Sequence, residues 1–335
     1  MTEQLPYFRL HGTRMDIGKQ RGDLIQNLPL SPVDDDGLKY AIRCRELAEH
    51  HHPAMVDEWE GMAQASGLNR DRFLAHYFAT KRGLVGCTNI AATPPATADG
   101  TVWVGRNYDW AYADMRWCQA RAICPEGEPR RLGLSHHWAG SPDVITDRGV
   151  VVLIAALPAV NTVEPGVQWH ILVDMVATRA NSVVEAVDTL MAVPHLRAMH
   201  YLIADKSSAA VVEGVPGGLA VRYPTDGIMV ATNHLRDTTS DNARSEASTM
   251  RYRGATDMLE KRSGSIGEDE IRAVLCDHDH HICAGAHDGR EGRAELMGRS
   301  GTIWSAIFRP HLKQMQASFG HPCQNQFQTV PWPDD

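Results

Sequence analysis

Gly86-Cys87-Thr88-Asn89 and Gly105-Arg106-Asn107-Tyr108-Asp109-Trp110 are the two stretches of this 335-residue sequence that decide its fold. Cys87 stands where a predominantly helical opening segment gives way to strand-like sequence. Between the stretches, Asp99-Gly100 is a signal for a type I′ hairpin turn. Residues 101–104, Thr-Val-Trp-Val, then favour a strand. The sequence therefore predicts a β-hairpin that begins at the cysteine.

The hairpin brings chemically active side chains to one place. A turn at Asp99-Gly100 returns Asp109 to about the level of Ile90, and this brings Arg106 and Asp109 close to Cys87. Pro94-Pro95 cannot continue a paired ladder, so an offset of one to three residues can be absorbed there. We expect a thiol beside a guanidinium and a carboxylate.

Composition narrows the class of protein. The formal net charge is -8, with 43% apolar and 22% charged residues, as in ordinary globular proteins. The negative charge and the lack of a Lys/Arg-rich run argue against nucleic acid as a partner. The N-terminus lacks the pattern of a secretory signal, and no apolar run approaches the ~20 residues that cross a bilayer. Seven scattered cysteines do not suggest a disulfide framework, so we expect a reducing compartment, the cytoplasm.

The order of predicted elements indicates an α+β protein made of antiparallel sheets covered by helices, in one domain. Residues 1–86 are predicted to be mostly helical, with Asn69 as the N-cap of the last helix and Gly67 ending the one before. Further helices are predicted over 168–179, from Ser182, and over 245–261 and 268–276. Strands are predicted over residues 101–107, 116–124, 131–137, 150–155, 199–204, 209–213, 219–223, 228–232 and 302–308.

The two opening stretches resemble the isopenicillin N acyltransferase family, a branch of the N-terminal nucleophile (Ntn) hydrolases related to choloylglycine and penicillin V hydrolases. Further similar stretches follow in order along nearly the whole chain. They are residues 12–22, Glu58-Trp59-Glu60-Gly61-Met62-Ala63, Thr232-Asn233-His234, Ser248-Thr249-Met250-Arg251-Tyr252, Thr302-Ile303-Trp304-Ser305 and Gly320-His321-Pro322-Cys323.

The resemblance implies a four-layer αββα sandwich and an inactive precursor that cuts itself between Gly86 and Cys87. Residues 1–86 would form a helical pro-segment or α-subunit, and 87–335 the subunit that bears the nucleophile. The freed α-amino group, with a pKa of about 7.7–8.0, can act as a general base at neutral pH. Arg106 would increase the ionised fraction of the thiol, and Asp109 could hold the new ammonium group.

Other positions are assigned by the same resemblance. Asn233 matches the residue whose side-chain amide contributes to the oxyanion hole, and Arg251 matches an arginine that supports the site. Tyr108, Trp110 and His234 are weaker candidates for substrate binding. Relatives nearest the penicillin acyltransferase often carry Gln and Trp where this chain has Arg106 and Tyr108, a difference that bears on the substrate.

The sequence thus predicts a cysteine amidohydrolase or acyltransferase that acts on a linear amide or an acyl thioester through an acyl-Cys87 intermediate. We expect no cofactor, and small-molecule amides or acyl-CoA-like compounds as substrates. Nucleic acid and membrane are not expected as partners, and a homo-oligomer stays open. An uncleaved Cys/His thiol hydrolase of papain type is an alternative, but its cysteine would open a helix.

A Cys/His cluster over residues 276–287 suggests a second alternative, a metal-binding protein that is not an enzyme. Thiolates and imidazoles suit zinc. However, the paired Cys-x2-Cys spacings are missing, and adjacent histidines on a short loop cannot all face one ion. We therefore predict no metal from the sequence.

Overall fold

The structure, a computed structural model, describes residues 5–80, 86–135, 140–158, 164–215, 217–235, 246–285 and 300–333. Its helices are α1 (Arg14–Asp23), α2 (Asp35–His51), α3 (Pro53–Ser66), α4 (Arg70–Ala79), α5 (Trp169–Arg179), α6 (Val183–Met191), α7 (Glu246–Glu260) and α8 (Glu268–Leu275). Its strands are β1 (Tyr7–Gly12), β2 (Cys87–Ala92), β3 (Trp103–Ala111), β4 (Gln119–Pro125), β5 (Arg131–Ser135), β6 (Asp143–Thr146), β7 (Val151–Ala156), β8 (Met199–Ala204), β9 (Ala209–Val215), β10 (Gly218–Arg222), β11 (Ile228–Ala231), β12 (Ser300–Arg309), β13 (Gln314–Phe319) and β14 (Gln328–Thr329).

The described strands form two sheets. Sheet 1 has the order β1-β4-β5-β6-β7-β8-β9-β10, and sheet 2 has the order β11-β2-β3-β12-β13-β14. One apolar core, which includes Cys87 and Tyr108, lies between the sheets. A second core joins helices α2 to α6 to sheet 1, and a third joins α7 and α8 to sheet 2. The layers are therefore helix, sheet, sheet, helix, which confirms the predicted sandwich.

The hairpin at Cys87 forms, but its register differs from the predicted one. Ile90 pairs with Gly105, four residues before Asp109, and Cys87 pairs with Tyr108. Gly100 has a φ of 67°, but Asp99 is not among the residues with positive φ, so the turn is not type I′. The Asp99 carboxylate instead accepts hydrogen bonds from the backbone and hydroxyl of Thr101. The connection between β2 and β3 is longer than a two-residue turn, and this changes which residues of the two strands pair.

Several strands were not predicted. The opening segment is not all helical, because β1 precedes α1 and pairs in parallel with β4. This is the one parallel pair among the described strands, so sheet 1 is not wholly antiparallel. Strands β6 and β13 were also missed. The four-residue β6 is too short to show a period, and β13, with the sequence QMQASF, carries few strand-favouring side chains.

The helical opening segment packs tightly through glycine. Gly67 ends α3 with a φ of 66°, and the Asn69 side chain caps α4, as predicted. Helix α1 lies directly against α3, where a Cβ on Gly18 would come within 3.0 Å of the Glu58 backbone.

Among the described helices, none has both the length and the apolar character needed to cross a membrane.

We predict that Gly18→Ala destabilises the protein by about 2 kcal/mol, because the added methyl group must push α1 away from backbone atoms of α3. Chemical denaturation measures this change in the free energy of unfolding. Gly218→Ala is the matched control, since its nearest neighbour, a Val215 methyl group, lies 3.6 Å from the new Cβ. Equal stability of the two variants would contradict close packing at Gly18.

Candidate active site

Cys87 is the first residue of β2, and its side chain enters the core between the two sheets. It is 4% exposed. Burial raises the pKa of its thiol, and the Arg106 guanidinium opposes part of that rise. A cysteine at the start of a strand does not match the papain-type alternative, in which the cysteine opens a helix.

Arg106 lies beside the thiol, as the hairpin predicted. Its Nη2 is 3.7 Å from Cys87 Sγ, and its Nη1 donates to Asn89 Oδ1 at 3.2 Å. Nη1 also donates to the backbone carbonyl of Ile154 on β7, at 2.5 Å, so the guanidinium bridges the two sheets. The Arg106 side chain is fully buried, and it is therefore a fixed positive charge beside the Cys87 thiol.

Asp143 is a site residue that the sequence did not reveal. This residue on β6 reaches across from sheet 1, with Oδ1 2.5 Å from Arg106 Nε. Trp304 Nε1 donates to its other oxygen at 2.6 Å. Burial raises the pKa of Asp143 to about 6, and the Arg106 charge limits the rise, so the carboxylate is ionised at neutral pH. Asp143 therefore fixes the orientation of Arg106.

Asp109 lies against the predicted scissile residue, Gly86, and its charge also raises the pKa of the Cys87 thiol. Its backbone N–H donates to Gly86 O at 2.9 Å, and Thr302 Oγ1 donates to its Oδ1 at 2.7 Å. A Cβ on residue 86 would come within 3.0 Å of the Asp109 carboxylate. The close approach explains why glycine precedes Cys87: any side chain there would displace this carboxylate.

Asn233 follows β11 and contacts the backbone of Cys87. Its Oδ1 accepts from Cys87 N at 2.7 Å, while its Nδ2 donates to the Ala156 carbonyl of sheet 1 at 2.8 Å. The backbone N–H of Asn233 donates to Ser248 Oγ on α7 at 2.7 Å. The side-chain oxygen, and not the amide N–H group expected for an oxyanion hole, thus faces the Gly86–Cys87 peptide in this state.

Arg251 on α7 holds the next peptide along the chain, Cys87–Thr88. Its Nη1 donates to the Cys87 carbonyl and, at 3.0 Å, to Thr88 Oγ1. Its Nη2 donates to Asn233 Oδ1 at 2.8 Å. The side chain is 5% exposed and burial lowers its pKa, so Arg251 is a buried residue of the site and not a surface charge on α7.

The aromatic candidates divide between two faces. Tyr108 stacks on Trp304 with a 4.1 Å centroid distance, and Trp110 stacks on Tyr108 at 5.9 Å, in a row that continues from Arg106. Trp103 belongs to the core on the helix side of sheet 2. Trp138, a further tryptophan that could line an acyl pocket, lies outside the described residues.

His234 does not reach the thiol in the contacts that the structure gives. Its Nδ1 lies 2.9 Å from Ser248 Oγ and 3.1 Å from Thr232 Oγ1, and its ring packs edge-on against Tyr252. It is 5% exposed. These contacts fix the backbone on which Asn233 sits, and substrate binding by His234 stays a prediction.

The described part of the 276–287 cluster, residues 276–285, follows α8, and its Ile282 packs in the core on the helix side of sheet 2. His280 is held by Asp277 at 3.1 Å, and His287 lies outside the described residues. Of this cluster, His278 and Cys283 come together with a third side chain, that of Cys323.

The sequence profile of the family described as acyl-coenzyme A:6-aminopenicillanic acid acyl-transferase matches residues 96–324. The match begins after Cys87, so it is independent of the cysteine itself. No curated protein matches the chain.

Among solved structures, an N-acylethanolamine-hydrolyzing acid amidase ortholog from Caenorhabditis elegans is similar, with a TM-score of 0.50 and 15% identity. The alignment covers 73% of this chain and 100% of that one. A conjugated bile acid hydrolase from Clostridium perfringens aligns with a TM-score of 0.50 and 13% identity, over 74% of this chain and 97% of that one. Both have the Ntn-hydrolase sandwich, which is the fold found here.

We predict that Arg106→Gln and Asp143→Asn change the reactivity of Cys87 in opposite directions. Loss of the guanidinium removes a charge that favours the thiolate, whereas loss of the carboxylate removes one that opposes it. Alkylation of Cys87 by iodoacetamide at pH 7 should be roughly tenfold slower in the first variant and faster in the second. Mass spectrometry of the labelled peptide over a pH series measures both rates.

Arg272→Gln serves as the control for this pair, because it removes an equal charge from an exposed ion pair with Glu268. Its labelling profile should follow that of the unmodified protein. Alkylation rates that change in the same direction in the Arg106 and Asp143 variants would show that neither charge acts on the sulfur directly.

Proposed function

The chain belongs to the acyl-coenzyme A:6-aminopenicillanic acid acyl-transferase family and is an Ntn-type amidohydrolase or acyltransferase, and we propose that it activates itself by cutting the Gly86–Cys87 bond. Cys87 then serves as the N-terminal nucleophile. The observation that carries this proposal is the set of contacts on the two residues of this bond. The Asp109 carboxylate lies against Gly86, the Asn233 side chain accepts from the Cys87 N–H, and Arg251 donates to the Cys87 carbonyl.

In the self-cleavage step, Cys87 Sγ attacks the Gly86 carbonyl carbon. The Asp109 backbone N–H, which already donates to Gly86 O, stabilises the negative charge that develops on that oxygen. The C–N bond breaks as the thiol proton passes to the leaving nitrogen of Cys87. Water then hydrolyses the Gly86 thioester, which leaves a carboxylate on Gly86 and restores the thiol.

In the mature enzyme, the new amine on Cys87 is the general base for its own thiol. Asn233 Oδ1 already accepts from this nitrogen and would keep the amine in place. The amine takes the thiol proton, the sulfur attacks the substrate carbonyl, and the amine returns the proton to the leaving group. Water or an amine then accepts the acyl group from Cys87.

The pieces produced by cleavage stay associated. Arg14 on α1 forms buried ion pairs with Glu58 within the opening segment and with Asp174 on α5, at 2.8 Å in each case. His52 also contacts Asp174, at 2.8 Å. Together with the pairing of β1 to β4, these contacts hold residues 1–86 on the larger piece as two subunits of one domain.

For substrate, we propose a linear N-acyl amino compound or an acyl thioester. The stacked rings of Tyr108 and Trp110 lie on the same face of β3 as Arg106 and offer an apolar surface for an acyl chain. Since none of the seven cysteines forms a disulfide in the structure, we keep the cytoplasm as the proposed compartment.

We predict that purified protein runs as two fragments on a denaturing gel and that the larger one begins at Cys87 by intact mass. Cys87→Ala should stay in one piece and be inactive towards N-acyl amino compounds, because both steps need the sulfur. Cys118→Ala is the matched control, since Cys118 is another free cysteine buried between the sheets. It should be cleaved normally.

Cleavage of Cys87→Ala at the same bond would remove Cys87 from this role. An active protein in one piece would instead favour the uncleaved thiol hydrolase.

A further inference from the structure

Two sulfur atoms and an imidazole meet at a place that no part of the proposed mechanism uses. Cys283 Sγ lies 3.6 Å from Cys323 Sγ. A ring nitrogen of His278 and these two sulfurs all lie within 4.8 Å of one another. Cys283 is buried, whereas Cys323 is exposed, so the group lies at the surface with one side in the protein.

The spacing of the sulfurs matches a shared metal ion. Two thiolates bound to a tetrahedral zinc at ~2.3 Å are about 3.8 Å apart, close to the distance found here. A disulfide needs about 2.05 Å between the sulfurs and leaves the imidazole without a role. Two thiolates and one imidazole are the donors that soft d¹⁰ cations prefer.

The sequence could not assemble this set. Cys323 comes from the loop after β13, 40 residues from Cys283, and the spacing of the 276–287 segment lacked a second pair of ligands. The fold supplies the missing ligand from another loop. This removes the objection raised from spacing, because only one histidine of the segment joins the group.

The position of the group gives it a structural consequence. The Thr302 backbone N–H donates to the carbonyl of Ala284, next to Cys283, at 2.8 Å, and the Ala284 N–H donates to Thr302 Oγ1 at 3.0 Å. Thr302 in turn donates to Asp109. The same loop is fixed to β3 through Asn107 Nδ2, which donates to the carbonyls of Leu275 and Ile282 at 2.8 Å.

We infer that His278, Cys283 and Cys323 bind one zinc ion or a similar soft cation. The ion ties the loop after α8 to the loop after β13, on the side of sheet 2 opposite the nucleophile. The three protein ligands leave the fourth position to water, and the ion takes no part in acyl transfer. It stabilises the loop after α8, whose Ala284 is hydrogen-bonded to Thr302, and Thr302 in turn is hydrogen-bonded to Asp109.

The test measures zinc in protein purified without a histidine tag, loaded with zinc alone and passed through a desalting column. We expect about one equivalent per chain, and below about a tenth of that in Cys283→Ser and in Cys323→Ser. Cobalt in place of zinc should give thiolate-to-metal charge-transfer absorption, which the same variants lose. Cys124→Ser, a partly exposed cysteine on β4, is the matched control and should keep both signals.

A measurement on the unmodified protein covers the case in which a variant fails to fold. Zinc should protect two thiols from a thiol reagent, and a chelator should release them. Zinc binding that is absent in the unmodified protein, or that persists in the double Cys→Ser variant, would overturn the inference. A mass lower by two hydrogen atoms, with Cys283 and Cys323 joined in one peptide, would overturn it in favour of a disulfide.

Discussion

The site depends on one buried cation, the Arg106 guanidinium, which contacts both sheets and the Cys87 thiol at once. Its Nε is paired with Asp143 from sheet 1, its Nη1 donates to the Ile154 carbonyl, and its Nη2 lies beside Cys87 Sγ. A charge in the core is costly unless it is paired and hydrogen-bonded, and loss of one partner of a buried pair costs about 3–5 kcal/mol. The distance between the sheets and the electrostatics of the sulfur are therefore set by the same interaction.

Around that cation, backbone geometry positions the Gly86–Cys87 peptide, the bond that we propose is cut. The β2–β3 pairing brings the Asp109 N–H to the Gly86 carbonyl, and the absence of a side chain at residue 86 lets the Asp109 carboxylate lie against it. Asn233 and Arg251 arrive from the edge strand and from α7 and hold the Cys87 side. Residues from sheet 2 and from the helix layer that covers it thus fix the two peptides on either side of Cys87.

Sequence reasoning reached the part of the site that lies on one hairpin. Arg106 is near Cys87 because β2 and β3, which follow each other in the chain, pair in an antiparallel hairpin, even though the register differs by four residues. The sequence also placed Asn233 and Arg251, through resemblance rather than through pattern. Asp143 escaped because it lies on a four-residue strand of the opposite sheet, and its link to Arg106 exists only once the sheets pack. Cys323 was not predicted as a metal ligand because it is 40 residues from Cys283 in the sequence and approaches it only in the folded chain. Side-chain periodicity reports which face of an element is buried but not which distant element covers it.

We propose that Cys87 of the mature enzyme is a chain end, with an amine and a thiol on the same residue. A reagent that condenses only with a 1,2-aminothiol, such as 2-cyanobenzothiazole, tests this directly in the active enzyme by intact mass and activity. We expect one adduct on the fragment that starts at Cys87, formed in step with the loss of activity. Full activity in protein that forms no adduct and has the mass of the uncut chain would show that Cys87 is not a chain end.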